Sequence, residues 1–211
     1  MTWSSALRAS TLVGVFASGI LSGVLMPDTV VIGQRKPSGQ ELKALENQKL
    51  LDELVAKEAI REQIHNYARG LDRMDRQLAL QVWHPDGTAD YLGQYKGLGS
   101  GFIEHAWRAH EKIMGHTHQM TNIVIKVDGE KAVSETYLIA SLRSEPTAES
   151  SSTNLIRGRY ADKWSKRNGR WAIDHRVMVV DFSTRDDMTT ANRKGFMRRD
   201  RTDPTYQVFP F

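Results

Sequence analysis

Any chemistry of this chain must come from His, Asp, Glu, Tyr, Ser and Lys side chains, because its 211 residues include no cysteine. The absence of cysteine excludes thiol nucleophiles, thiolate zinc sites, iron–sulfur clusters and disulfide scaffolds. The sequence also contains no glycine-rich phosphate loop and no Gly-x-Ser-x-Gly turn, so nucleotide-dependent and serine-hydrolase functions lose support. Histidine and carboxylate side chains are therefore the first candidates for a site.

Two histidines, His116 and His118, form a His-x-His pattern. On a strand this spacing places both rings on one face, as in some metal sites. The best third ligand is Glu135, whose position does not follow from any metal-ligand spacing, so we expect no metal. The remaining histidines have no spacing that indicates a ligand role and are interpreted as surface or structural residues: His65, His84, His105, His110 and His175.

Helical periodicity precedes the histidine pair. Apolar residues recur at helical spacing from Glu41 to Leu71, and four of them form a stripe that faces a core: Ile60, Ile64, Tyr67 and Leu71. Pro85-Asp86-Gly87 predicts a break after a second, short helix. The elements predicted up to the histidines are helices over 41–71, 76–82 and 102–114, a short strand over 88–91 and a loop over 97–101.

The period then changes to that of β-strands. Asp128-Gly129 and Asn168-Gly169 are dipeptides that two-residue type I′ hairpins favour. The strands predicted around them are 121–127, 132–143, 155–167 and 171–182, with a polar loop over 146–153. Helices followed by two long hairpins predict an α+β domain, in which the helices cover one face of a curved sheet. Such an arrangement leaves a pocket between the sheet and the helices.

The formal charge of +4 is confined to the chain ends. Of the 29 basic residues, five lie in 1–50 and six in 184–211, against three and four of the 25 acidic residues, which leaves 18 of each sign between them. A neutral middle argues against a groove that tracks phosphates, so no nucleic-acid partner is expected. The basic run of the C-terminus is interpreted as a solvated tail, with a nucleic-acid or membrane-surface contact as the alternative: Arg193, Lys194, Arg198, Arg199 and Arg201.

The first forty residues are interpreted as a segment separate from the folded domain. Arg8 precedes an uncharged stretch over 11–26, which has the length of an export-signal core and is shorter than a bilayer span. This predicts an exported or periplasmic protein with possible membrane association through 11–26; the alternative is a helix packed on a cytoplasmic domain. The domain itself is predicted over 41–183, after a linker and before a basic tail over 184–211.

Five short motifs occur in an order typical of one superfamily. They are Tyr67-Ala-Arg-Gly-Leu-Asp72, Trp83-His-Pro-Asp86, His118-Gln-Met-Thr-Asn122, Gly158-Arg-Tyr-x-Asp162 and Gly169-Arg-Trp171. Over residues 50–183 the chain resembles the SnoaL-like branch of the nuclear transport factor 2-like superfamily. The resemblance implies a cone-shaped, curved antiparallel sheet wrapped around N-terminal helices. That fold hosts many reactions as well as binding modules, so it does not by itself determine the activity.

Within that superfamily the pattern is most similar to the group of scytalone dehydratase, hexachlorocyclohexane dehydrochlorinase and bile-acid 7α-dehydratase. The resemblance implies a catalytic histidine on a strand and an aspartate at the end of the first long helix, which His118 and Asp72 match. It further implies that Tyr67 corresponds to a tyrosine used by the bile-acid enzyme. Arg176 falls where the dehydrochlorinase has an arginine in its pocket.

These residue types suit the removal of a proton from carbon. Imidazole, with an ordinary pKa of about 6.5, is a natural base, and a carboxylate on its far nitrogen fixes the tautomer. We therefore expect a cofactor-independent lyase of the dehydratase type acting on a hydrophobic cyclic or aromatic molecule, with His118 as base, Asp72 as its partner and Tyr67 as acid. An isomerase or a retro-aldol lyase needs the same base, and a non-catalytic binding or subunit module is the alternative.

Strand parity predicts which side chains share a pocket with His118. If Asp128-Gly129 forms the turn, Met120 and Asn122 lie on the His118 face, opposite Tyr137 and Glu135. The predicted substrate contacts are Arg176, Asn122, Met120, Tyr137, Trp83 and Tyr91. The opposite face, with Ile123, Ile125 and Val127, is apolar and predicts a homodimer or homotrimer.

Structural interpretations of the same residues remain open. Five helical positions separate Tyr67 and Asp72 by about 140°, so they point the same way only if the helix loosens near Gly70. Asp72 alternatively pairs with neighbouring arginines on the surface, and Tyr67 alternatively belongs to the core. Trp83 alternatively belongs to the core, and Arg176 alternatively only pairs with an acid.

Overall fold

The computed structural model describes residues 35–144, 151–188 and 198–208. Contacts along the chain separate residues 39–211 from those before them, and all the elements below belong to 39–211. The helices are α1 (Gly39–Asp72), α2 (Arg76–Gln81), α3 (Gly99–His110) and α4 (Thr205–Val208). The strands are β1 (Trp83–Asp90), β2 (Lys96–Leu98), β3 (Gly115–Asp128), β4 (Lys131–Arg143), β5 (Ser151–Arg167) and β6 (Arg170–Met188).

The predicted export segment and part of the predicted basic tail fall on residues that the structure does not describe. The apolar segment over 11–26 lies outside the described residues, as do Arg193 and Lys194. Within the described ranges, no helix has both the length and the apolar character needed to cross a bilayer. Export and membrane association therefore stay predictions.

Helix α1 confirms the predicted apolar stripe. Ile60, Ile64, Tyr67 and Leu71 are at most 2% exposed and pack on the inner face of the sheet. Their spacing of four, three and four places them on one side of the helix. Towards its N-terminus the helix carries six large aliphatic side chains that are about half exposed: Leu42, Leu45, Leu50, Leu51, Leu54 and Val55. The stripe thus anchors only the C-terminal half of α1, which leads to Asp72.

The six strands form one open, curved sheet in the order β2-β1-β6-β5-β4-β3. Neighbouring strands are antiparallel, except that β1 runs parallel to β6. Helices α1 to α3 precede or interrupt the first strands, and the four long strands follow as a meander. The predicted α+β class is confirmed, with one parallel pair that the hairpin pattern did not indicate.

The boundaries around β1 and β2 differ from the prediction. The predicted break at 85–87 lies inside β1, whose pairing with β6 is irregular between Trp83 and Thr88. The predicted loop over 97–101 instead ends β2 and begins α3. A Cβ at Gly99 would collide with the Trp83 ring, so this glycine permits a close approach of α3 to β1. Such tertiary contacts are not visible in local sequence.

One of the two predicted turns is confirmed, and the other lies one residue further along. Asn168 and Gly169, both with positive φ, join Arg167 to Arg170 as a two-residue turn. At the other hairpin Asp128 pairs with Lys131, so the turn residues are 129 and 130. Gly129 has a φ of 57° at the first turn position, where a type II′ turn favours glycine.

A β-bulge in β3 makes the predicted register wrong. Thr121 pairs with Tyr137 and Val124 with Glu135, so three steps along β3 match two along β4. Asn122 lies in the extra segment with a φ of 47°, a conformation that asparagine tolerates better than most residues. The bulge exchanges the two faces of the strand, because side chains alternate with a period of two.

The predicted face assignments are therefore corrected. His118 and Met120 share the inner face with the apolar residues beyond the bulge, and Ile123, Ile125 and Val127 belong to or pack against the core. Asn122 is exposed, and Tyr137 lies on the outer face near Arg159. A homodimer or homotrimer stays a prediction, but the apolar residues on which it rested are turned inward.

Candidate active site

His118 and Asp72 meet where the end of α1 crosses β3. The His118 ring nitrogen Nδ1 lies 2.6 Å from Asp72 Oδ1, and the His118 backbone N–H donates to Asp72 Oδ2 over 2.9 Å. Their side chains are 6% and 13% exposed, so water competes little for either group. One carboxylate thus holds both the backbone and the ring of a residue 46 positions further along the chain.

This contact determines which ring nitrogen is available for chemistry. An ionised carboxylate only accepts hydrogen bonds, so a neutral His118 ring carries its proton on Nδ1. The lone pair is then on Nε2, which has no hydrogen-bond partner among the described residues. An imidazole held in this tautomer is arranged to accept a proton at Nε2.

Asp72 reaches His118 from an unbroken helix. α1 continues to Asp72, its last residue, so the helix does not loosen near Gly70. Gly70 instead permits contact with α2: a Cβ there would lie 2.6 Å from the backbone nitrogen of Ala79. Because the helix stays regular, Tyr67 and Asp72 keep their separation around its axis and point to different surroundings.

The His118 ring borders a cleft of about 270 Å³ between α1 and β3. It is lined by His65, Ala68, Arg69, Asp72, Arg73, His118 and Met120. Three predicted site residues, His118, Asp72 and Met120, are therefore brought together. The lining is mostly polar, whereas the expected substrate is hydrophobic.

Four other predicted site residues form a separate cluster inside the domain. Tyr67 and Tyr91 share a hydrogen bond of 2.7 Å between their hydroxyl groups, and the Tyr67 ring contacts Trp83 edge to face. The Arg176 guanidinium carbon lies 4.3 Å from the centroid of the Tyr67 ring. None of these four residues is more than 6% exposed, and none lines the His118 cleft.

A buried ion pair lies at the centre of this interior cluster. Arg176 donates to both carboxylate oxygens of Asp162, over 2.7 and 2.8 Å, and both side chains are fully buried. Burial opposes the charge on Arg176, but the attraction and hydrogen bonds of Asp162 raise the pKa of the guanidinium above its ordinary value. Burial also raises the pKa of the Tyr67 hydroxyl. Arg176 therefore stays charged and Tyr67 neutral at neutral pH.

A third histidine joins the predicted pair, which the sequence did not indicate. The His110 ring at the end of α3 lies 4.0 Å from that of His116 and 6.4 Å from that of His118, between centroids. Burial lowers the pKa of His110 to about 3 and that of His116 to about 4, and neighbouring histidines add to both effects. His116 is oriented by the Leu71 carbonyl, 2.7 Å from Nε2. Glu135, the suggested third metal ligand, instead faces Arg159.

The C-terminal segment also packs against this end of the domain. Arg199 donates to the backbone carbonyls of His110 and Ile113. Tyr206 donates to Asp75 over 3.1 Å, and Arg73 lies 3.4 Å from the buried Asp203. The interpretation of the basic run as a solvated tail is thus wrong for Arg199. The run of basic residues predicted exposure to solvent for Arg199. The sequence does not show that the carbonyls at the end of α3 lie near this arginine and can accept its hydrogen bonds.

Solved structures share this fold. A protein assigned as a scytalone dehydratase from Novosphingobium aromaticivorans has a TM-score of 0.56 and 21% identity, over 67% of this chain and 95% of that chain. The hexachlorocyclohexane dehydrochlorinase LinA, type 3, from Novosphingobium barchaimii has a TM-score of 0.54 and 16% identity, over 67% and 96%. A protein assigned as an aromatic ring hydroxylase from N. aromaticivorans has a TM-score of 0.53 and 19% identity, over 64% and 92%. At these identities the likeness shows the fold alone.

Sequence comparison agrees with the structural likeness. A search of curated proteins finds no match. The sequence model of the SnoaL-like domain, by contrast, matches residues 52–177, which include α1 from Asp52 onward, all of β1 to β5, and β6 as far as Val177. The match contains both Asp72 and His118. Because it spans more than half of the chain, the protein belongs to the SnoaL-like family, in the nuclear transport factor 2-like superfamily.

Proposed function

We propose that the protein is a cofactor-independent lyase of the dehydratase type that acts on a hydrophobic cyclic or aromatic molecule. The observation that carries the proposal is the 2.6 Å contact between His118 Nδ1 and Asp72 Oδ1, at a ring that borders a cleft. The dehydratase and dehydrochlorinase assignments of two similar structures support an elimination. His118 is the proposed base and Asp72 its orienting partner.

The reaction begins with transfer of a carbon-bound proton to His118 Nε2. The electrons of the broken C–H bond form a carbon–carbon double bond, and the bond from the neighbouring carbon to its hydroxyl breaks. The imidazolium then returns its proton to the departing hydroxide, so the products are an alkene and water. Asp72 stabilises the imidazolium between these steps, because a carboxylate attracts the positive ring and accepts its Nδ1 proton in a hydrogen bond.

Tyr67 as acid stays a prediction. Its hydroxyl is engaged with Tyr91 inside the interior cluster and does not line the cleft. An isomerase needs the same base and differs only in where the proton is returned. The position of Tyr67 favours a second candidate, a non-catalytic binding module, because the predicted acid does not line the cleft beside His118.

A neutral probe of proton abstraction tests the proposal without knowledge of the natural substrate. Nitrobenzisoxazole loses a carbon-bound proton to a base and opens to a coloured nitrophenolate, so its turnover can be followed by absorbance. We expect His118→Gln to lower the protein-catalysed rate by about a hundredfold or more, the usual contribution of a positioned base. Asp72→Asn should lower it as well, because an amide NH₂ favours the wrong tautomer.

His105→Gln provides the matched control, because His105 is an exposed histidine on α3 that does not line the cleft. Cyclic β-hydroxy ketones, with product alkenes detected by mass spectrometry, then distinguish elimination from isomerisation. If His118→Gln and His105→Gln have equal rates with the probe, His118 is not a base and the binding-module interpretation replaces the lyase.

A further inference from the structure

One arginine in the cleft, Arg69, has no acidic partner within residues 35–144, 151–188 and 198–208. His65, Arg69 and Asp72 follow one another on α1 at spacings of four and three, so they share one side of the helix, and all three line the His118 cleft. Arg69 forms no ion pair with any residue in the described ranges. Its Nη2 atom is buried and has no hydrogen-bond partner there. A buried guanidinium nitrogen without an acceptor is costly, and a bound oxygen would remove that cost.

Three carboxylates near Arg69 are committed elsewhere: Asp72, Asp75 and Glu58, which pairs with Arg61. The fourth, Glu62, borders the adjoining cavity and lies within ion-pair distance of no cation among the described residues, Arg69 included. Asp72 holds the ring and backbone of His118. Asp75 accepts from the Tyr206 hydroxyl and the Leu78 backbone N–H, and lies 3.4 Å from Arg201. Among the described residues, therefore, no carboxylate lies within ion-pair distance of Arg69.

The second arginine that lines the cleft, Arg73, has an acidic partner, unlike Arg69. Arg73 lies 3.4 Å from Asp203, a buried carboxylate. Asp203 also accepts from the backbone N–H groups of Arg198 and Thr205, which hold it in place beside Arg73. The positive charge of Arg73 is thus balanced by Asp203, whereas Arg69 has no carboxylate within ion-pair distance in the part of the chain that the structure describes.

The C-terminal segment holds the Arg69 side chain in position. Its guanidinium carbon lies 4.7 Å from the centroid of the Tyr206 ring, so the aromatic face supports the cation. A guanidinium stacked on a ring keeps its N–H groups at the edge, free to donate in the plane. His65 and Arg69 also border a second cavity of about 910 Å³, between α1, α2 and residues 201–206. Its lining includes the carboxylates Glu58, Glu62 and Asp75, so it offers room for the uncharged part of a ligand and not for its anionic group.

We propose that Arg69 binds an oxyanion of the substrate, so the molecule that reacts at His118 carries a carboxylate, sulfate or phosphate group. The anionic group occupies the Arg69 end of the cleft, and the carbon that loses its proton faces His118. The reaction part rests on the proposed function, whereas the binding part rests on the cleft alone. The charged group also explains why the lining is mostly polar.

Binding of matched probes tests this assignment. Naphthoate, naphthyl sulfate and naphthyl phosphate share an aromatic body with naphthamide, which is neutral, and their affinities for the full chain are measured by titration calorimetry. We expect at least one anion to bind wild type about tenfold or more tightly than naphthamide, as for hydrogen bonds to a charged group. The three anions distinguish which oxyanion the site prefers. Equal affinities, including no measurable binding of any probe, overturn the proposal.

Variants on α1 then locate the preference. Arg69→Gln should abolish the preference for the anion, and Arg69→Lys should retain part of it, because lysine keeps the charge but loses the planar fork. Arg61→Gln is the matched control on the same helix, since Arg61 pairs with Glu58 and lies outside the cleft. An unchanged preference in Arg69→Gln, with Tm and circular dichroism showing a folded protein, overturns the assignment.

A failure of this proposal is distinguishable from a failure of the proposed function. His118→Gln should retain the anion preference even if His118 proves not to be a base. Conversely, a base at His118 with no anion preference in wild type refutes the Arg69 assignment and leaves the lyase intact.

Discussion

Replacing Asp162 by asparagine removes one charge of a fully buried ion pair and leaves its geometry almost unchanged. Arg176 then keeps its positive charge inside the domain but loses the carboxylate that accepted both of its hydrogen bonds. Breaking a buried pair from one side costs about 3–5 kcal/mol, because the remaining charge is neither solvated nor paired. The Tyr160 and Tyr67 rings, 3.9 and 4.3 Å from the guanidinium carbon, offset part of this cost.

We therefore expect a loss of about 3 kcal/mol, at the lower end of that range. Against a total stability of about 5–15 kcal/mol this is a large fraction, and it lowers Tm by roughly 6–12 °C for a domain of this size. The assay is urea unfolding followed by tryptophan fluorescence, with Trp83, Trp164 and Trp171 buried in the core as reporters. Circular dichroism at increasing temperature gives Tm independently.

The outer face of the same sheet provides a matched control. Arg159 and Asp181 form a similar two-point pair, but both side chains are about one-third exposed. Asp181→Asn should cost less than about 1 kcal/mol, because water and salt screen an exposed pair. Replacing both buried partners, with Arg176→Met and Asp162→Leu, should recover most of the lost stability. Equal effects of Asp162→Asn and Asp181→Asn would refute the reasoning.

Two further predictions concern the helix junction and the histidine cluster. Gly70→Ala should destabilise the domain by about 1–3 kcal/mol despite the better helix propensity of alanine, because its Cβ would lie 2.6 Å from the backbone nitrogen of Ala79. Gly39→Ala, with no atom within 4 Å of the new Cβ, should be neutral or stabilising in the same urea assay, and equal effects would contradict the close approach. Burial lowers the pKa of His110 to about 3 and that of His116 to about 4, from 6.5, so the unfolded chain binds more protons between these values. Stability should therefore fall as pH falls below 6.5, by up to about 1.4 kcal/mol per pH unit for each histidine, and urea midpoints that do not change across this range would show that the rings are not buried as neutral groups.

Regular elements could be predicted from local sequence. The stripe from Ile60 to Leu71 specified α1 and the face it buries, because a helical period of apolar residues has only one way to meet a core. Asn168-Gly169 specified a turn, because few dipeptides adopt positive φ at both central positions. The motif resemblance suggested the encounter of Asp72 with His118, which their own spacing along the chain does not contain.

Other features were decided only by the tertiary structure. The bulge at Asn122 reversed the faces of β3 and moved Asn122 and Tyr137 away from His118, because one inserted residue changes the side of every later side chain. The tertiary structure likewise determined two contacts, that of Arg176 with Asp162 and that of Tyr206 with Arg69. No sequence pattern around these residues predicts either contact. Sequence periodicity reports which residues avoid water, and it therefore specified the helices and strands. Which polar groups face one another depends on strand register and on close packing between segments that are distant in sequence. Only the tertiary structure determines these two features.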